Sequence, residues 1–185
     1  TAYDSGILAI GLYSRMNEMK KLIFMAVIGL CTAFMQSACA TGKMPPIDHS
    51  TALYEVAVEP GVTHEDVVFS LKSLSEGMNF VNPANFPIAE HMKLRGLQPE
   101  EPLEVRTYCN LSLGTEIMLD HPEFSVFAPC RIAIYQRKGQ LYIGLDRPTY
   151  DLKSIKNPTE RAKKSAQELE DVLIEMMEKA RRGEF

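Results

Sequence analysis

The chain has 185 residues, 45% hydrophobic and 24% charged, with a formal net charge of −4. That length and apolar share suit one globular domain with room for a short extra segment. The acidic balance, without a basic run, argues against nucleic acid as a partner, because phosphate contacts need clustered Lys and Arg. Residues 1–39 differ in character from the rest of the chain. Thr1 is not an initiator, so the start is expected inside the chain, at Met16 or Met19. Met19-Lys20-Lys21 opens a positive segment, residues 22–35 carry no charge, and Ser37, Ala38, Cys39 and Ala40 are small. Charge, apolar run and small residues in that order read as an upstream segment with a secretory signal peptide. A membrane-spanning helix needs about 20 apolar residues, more than this run offers.

Two ends for the leader are read. Ser37-Ala38-Cys39 resembles the end of a lipobox, with Gln36 where the pattern prefers Leu; Cys39 would then take lipid and become the new N-terminus. Ala38-Cys39-Ala40 also fits ordinary signal peptidase, which gives a soluble periplasmic product. We expect the lipoprotein, because residues 40–50 are polar, contain Pro45-Pro46 and read as a tether. Ala40 after the Cys resembles the enterobacterial sorting signal for the outer membrane. Removing Asp4, Arg15, Glu18, Lys20 and Lys21 with the leader leaves a net charge of −5, so membrane contact would come through the lipid anchor alone.

The expected domain spans residues 51–185. Residues 53–58 alternate apolar and polar and predict a strand. Thr63 and Asp66 have capping-box spacing, and Val67, Val68, Leu71 and Leu74 continue as a helical stripe that Gly77 is read to end in the left-handed position. Residues 78–81 predict a short strand, 82–87 a loop, 88–94 a short helix closed by Gly96, and 98–102 a Pro-bounded loop. Residues 103–109 predict a strand, with Val105, Thr107 and Cys109 on one side and Arg106 and Tyr108 on the other. Asn110 is placed to cap a helix over 111–119, which Pro122 closes. Residues 124–135 read as a strand interrupted by Pro129; Arg137-Lys138-Gly139 is a turn, and 140–145 return as the partner strand. Asn157-Pro158-Thr159-Glu160 reads as a helix start with Asn157 as the cap. Ala162, Ala166, Leu169, Leu173, Met176 and Ala180 then recur at helical spacing, in a helix expected over 158–182. This stripe is expected to pack within its own domain; a coiled-coil seam to a partner is the alternative. The fold class is α+β: a mostly antiparallel sheet with helices packed on one face and a long C-terminal helix.

No G-x-S-x-G, P-loop or G-x-G-x-x-G occurs, so no catalytic residue is assigned and the chain reads as non-enzymatic. C-x-x-C-H, paired C-x-x-C and H-x-x-x-H spacings are absent as well, so neither a cofactor nor a metal is expected. His49 in the tether and His64 in a first helical turn are read as solvated. His91 and His121 could join the cysteines only through the fold, and Met176-Met177 reads as core. Cys31 belongs to the leader and Cys39 is the lipidation candidate, which leaves Cys109 and Cys130. Export would place them in an oxidising compartment. Three readings stay open: a disulfide closing a loop of about 20 residues, worth roughly 3 kcal/mol; two separate thiols; or a redox or metal pair. Antiparallel pairing of their strands would bring Cys109, Cys130 and Asn110 to one end of the sheet, and this corner is the expected binding site.

Cys109-Asn110, the helix through Met118-Leu119, Asp120-His121-Pro122 and then Phe127-Ala128-Pro129-Cys130-Arg131-Ile132-Ala133-Ile134-Tyr135 together resemble the core of the domain of unknown function 302 family. Gly77-Met78-Asn79-Phe80-Val81 is similar to that family's earlier glycine-aromatic strand. The resemblance covers about residues 53–146, with Leu111 where the family usually has Pro. It implies an α+β sandwich with an antiparallel sheet and helices on one face, and it implies no activity. The functional expectation is an outer-membrane lipoprotein on the periplasmic side that binds a small ligand or an envelope protein. The alternatives are a redox or metal-handling accessory protein using Cys109 and Cys130, and a purely structural envelope protein.

Overall fold

A computed structural model describes residues 46–185; the leader, Cys39 and the first part of the tether lie outside the described residues. In chain order the elements are β1 (Leu53–Ala57), α1 (His64–Gly77), β2 (Phe80–Val81), β3 (Asn85–Phe86), α2 (Ile88–Lys93), β4 (Leu103–Asn110), α3 (Leu111–Asp120), β5 (Cys130–Arg137), β6 (Gln140–Asp146), α4 (Pro148–Asp151) and α5 (Glu160–Ala180). The strands form one sheet in the order β1-β6-β5-β4-β2, with β3 also on the outer edge of β4. All of its pairings are antiparallel. The α+β class, the antiparallel sheet and the long final helix are as the sequence implies.

Local chemistry sets most boundaries. At Thr63 both halves of the capping box form: the Thr63 hydroxyl accepts from the Asp66 amide, and the Asp66 carboxylate accepts from the Thr63 amide. Between β5 and β6, Lys138 (φ 53°) and Gly139 (φ 77°) form a two-residue turn with both residues left-handed, which matches the twist of a tight hairpin.

Several boundaries differ from expectation. Gly77 is still helical, and the left-handed residue is Asn79 at φ 61°, a conformation that Asn tolerates better than most side chains. Residues 122–127 are not strand but a 3-10 helix with Pro122 in its first turn, which buries Phe124 against Phe127 at 5.7 Å. Pro129 brings no amide donor, so β5 begins only at Cys130. Asn157 is not the cap of α5. Asn157 takes φ 55°, left-handed rather than the extended backbone of a cap residue. The cap passes to Thr159, whose hydroxyl accepts from the Ala162 amide at 3.1 Å. The loop expected over 82–87 contains β3. Thr107 stitches it to β4, giving its amide and its hydroxyl to the Ala84 carbonyl at 3.0 and 2.8 Å.

The helices cover one face of the sheet. Register places Tyr54 and Val56 of β1, Leu145 and Ile143 of β6, and Ile132 and Ile134 of β5 on that face, each 4% exposed or less. Above them lies α5, whose stripe from Ala162 through Leu169, Leu173 and Met176 to Ala180 is buried within its own domain. α1 and α3 pack against α5. Beside this core, the buried Arg147 pairs with the buried Glu170 and donates to the Asp48 and Thr51 carbonyls at 2.8 and 3.0 Å. Residues 48–51 are thereby fastened to the domain.

Candidate functional site

The apolar rows on the helix side of the sheet stop at β4. Register continues them from Ile134 to Glu104, from Ile132 to Arg106 and from Cys130 to Tyr108. The same face that holds isoleucines on β5 therefore holds a carboxylate, a guanidinium and a phenol on β4. Such groups stay stable beneath a helical layer only when paired or when they face an opening.

Glu104 is paired. The first residue of α1 reaches it, with His64 Nε2 3.0 Å from Glu104 Oε1. Arg106 donates to the same carboxylate through Nε at 2.8 Å and Nη2 at 3.3 Å. Burial alone would raise the Glu104 carboxyl, but the hydrogen bonds from Arg106 and His64 outweigh it and hold its pKa below the usual carboxylate range. His64 is thus not the solvated residue the sequence suggested; its position at the helix start aims it at β4.

Arg106 and Tyr108 face an opening. Among the described residues, Arg106 Nη1 has no hydrogen-bond partner, and neither does the hydroxyl of Tyr108, a residue only 2% exposed. Burial pushes that hydroxyl up to about 12, with Arg106 opposing and Glu104 adding, so it stays protonated at neutral pH. Both side chains border a hollow of about 500 Å³ between α1 and the outer edge of β4, whose wall includes Lys72, Ser75, Phe80 and Asn82. A second hollow of about 320 Å³ lies at the His64–Glu104 end and is lined by Glu65, Glu90 and Glu101 as well. Small-molecule sites commonly occupy 300–1,000 Å³.

The expected corner is different in kind. Cys109, Asn110 and Cys130 do lie at one end of the sheet: Tyr108 pairs with Cys130, and Cys109 with Val81. Ladder spacing puts the two cysteine α-carbons about 6 Å apart on the diagonal, while alternation directs their side chains to opposite faces. Both thiols are free. Burial raises the pKa of each, Cys130 to about 12. Asn110 is engaged structurally: Oδ1 accepts from the Leu113 amide at 3.1 Å, and Nδ2 donates to the Met78 carbonyl at 3.3 Å. The hollow here measures about 20 Å³, room for about one water, between Met118, Phe124, Phe127 and Leu169. At its edge, burial and then the charge of Asp146 raise the Asp151 carboxyl to about 6.

His121 is nearly buried, and its Nε2 accepts the Thr159 amide at 3.0 Å, joining α3 to the start of α5. His49 lies 3.2 Å from Arg147 Nη2. Neither approaches the cysteines closely enough to form a metal-ligand group, and no cluster of three His, Cys, Asp or Glu suited to a metal occurs among the described residues.

Among known proteins, the family described as "Domain of unknown function DUF302" matches residues 54–180, a span that takes in α5 as well as the part that the motif resemblance covers. An uncharacterized protein of Aquifex aeolicus (strain VF5) is 31% identical over 93 residues, 50% of this chain and 58% of that protein, so the match spans less than two thirds of the relative. The crystal structure of an uncharacterized conserved protein DUF302 from Bacillus stearothermophilus is similar with a TM-score of 0.63 at 22% identity, covering 70% of this chain and 98% of that one; the two share a fold.

Proposed function

The chain belongs to the family of the domain of unknown function DUF302, and on that premise we propose that it is a non-enzymatic module holding a small ligand over Arg106 and Tyr108. The observation that carries this reading is the hollow of about 500 Å³ above two polar side chains with unused hydrogen-bonding capacity. A purely structural protein has no need of such a space. A redox role for Cys109 and Cys130 is disfavoured by the burial that raises both thiols, because the thiolate is the reactive form.

The module is exported and tethered through lipid on Cys39, on the periplasmic side of the outer membrane; the order of charge, apolar run and small residues in 19–40 supports this. Two experiments test the reading. Cys39→Ser should abolish labelling by a fatty-acid probe and release the protein into the soluble fraction; persistent labelling would exclude Cys39 as the lipid site, and a parent protein that is already soluble would exclude the anchor. A thermal-shift screen of small organic compounds should find stabilising ligands whose effect is lost in Asn85→Trp, which places an indole over the hollow. Stabilisation that survives in Asn85→Trp would move the site elsewhere.

A further inference from the structure

We infer that the ligand of the β4 hollow is a small organic acid, its carboxylate held by Arg106 Nη1 and the Tyr108 hydroxyl and its apolar body lying against Phe80. This rests on the reading of the hollow as a ligand site.

Among the described residues, two donors at the hollow are left unpartnered. Arg106, which lines the hollow, spends Nε and Nη2 on Glu104; this fixes the plane of the guanidinium and leaves Nη1 without a partner among the described residues. Tyr108 lies two residues along the same face, so both donors belong to one row of one strand. Its hydroxyl is offered without a partner among the described residues, although the residue is almost wholly buried. A guanidinium N–H and a phenol O–H on one row of one hollow suit the two oxygens of one carboxylate, and hydrogen bonds to a charged acceptor are the stronger kind.

The charges around the space come from both α1 and β4. Lys72 and Glu76 on α1 are both exposed at its rim and oppose each other. Glu104 is the remaining carboxylate nearby, and it is already paired with His64 and Arg106. Asn82 uses Nδ2 on the Thr107 carbonyl at 2.6 Å, and Asn85 lies opposite Arg106 in the register. The deep end of the hollow is thus donor-rich, and Phe80, only 5% exposed, gives it an apolar wall. A cation would meet the guanidinium there, and a wholly apolar molecule would leave both donors unsatisfied.

The experiment is an amide-resolved NMR titration of the purified full-length protein with phenylacetate, phenylacetamide and phenethylammonium. Phenylacetate should saturate, shift the amides of Ser75, Phe80, Arg106 and Tyr108, and bind at least about tenfold more tightly than the other two, the ratio that loss of one charged contact gives. Tyr108→Phe removes only an unpartnered hydroxyl and should keep the spectrum of the fold while weakening phenylacetate about tenfold; Arg106→Gln should weaken it at least as much. Preference for phenylacetamide or phenethylammonium at the same amides would overturn the acid while keeping the ligand module. Shifts confined to the Cys130–Asp151 corner would overturn the location. No shift with any of the three would overturn both.

Discussion

Arg147 is the largest of the fully buried side chains, and its charge is matched by Glu170, which is 0% exposed. Breaking a buried pair from one side typically costs about 3–5 kcal/mol, whereas replacing both partners with apolar groups is often neutral. Arg147→Met should therefore lower urea stability by about that amount, and the double variant Arg147→Met with Glu170→Leu should regain most of it. Equal losses in the single and double variants would mean that the Asp48 and Thr51 carbonyls, not Glu170, depend most on the guanidinium. Asp151 gives a pH effect of the opposite sense to an ordinary surface carboxylate. Its folded pKa is raised from 3.8 to about 6, so the folded state binds more protons than the unfolded one between those values. Stability is then lost as pH rises through that window and stays lower above it. Asp151→Asn should raise the Tm relative to the parent at pH 7.5, and the difference should vanish near pH 4.

At the scale of elements, the start of α5 separates two capping schemes. With Thr159 as the cap, Thr159→Ala should cost about 1 kcal/mol in chemical denaturation, and more through its 2.6 Å hydrogen bond to Asp120. Asn157→Gly should be neutral or slightly stabilising, since Gly accepts the left-handed φ more readily. The reverse order would restore Asn157 as the cap. The same contrast shows what could be read in advance. Thr63 with Asp66, the Lys138-Gly139 turn and the α5 stripe are signals written within a few residues, and the structure follows them. Two capping residues, Asn157 and Thr159, stand two apart at the start of α5, and the nearer one caps; at Pro122 a β-prone run competes with a proline that suits a first helical turn, and the 3-10 helix forms. His64 and the Glu104–Arg106–Tyr108 row were less legible. Residues 103–109 alternate so evenly that neither face declares itself, and the outcome depends on where the layer made by α1, α3 and α5 stops. That boundary is set by packing among elements far apart in sequence.

For the molecule as a whole, the first strand is held by the last elements. β1 has β6 as its sheet neighbour, the Tyr54 hydroxyl donates to Glu178 Oε1 at 2.9 Å, and the Glu59 amide donates to the Arg181 carbonyl at 2.9 Å. Ile132, Ile134, Ile143 and Leu145 have their cover largely in α5 and the helices packed on it. A nascent chain that has emerged only as far as residue 157 therefore owns every strand but lacks the helix that would bury them, and contacts this distant in sequence form late and together. Synthesis should pass the end of α5 before any protease-resistant domain appears. In stalled ribosome complexes, chains stopped with residue 157 exposed should be digested as readily as unfolded ones, and those with residue 182 exposed should resist. A polypeptide that postpones compaction until α5 has emerged stays threadable up to that point, narrow enough to pass an opening that would stop the folded domain.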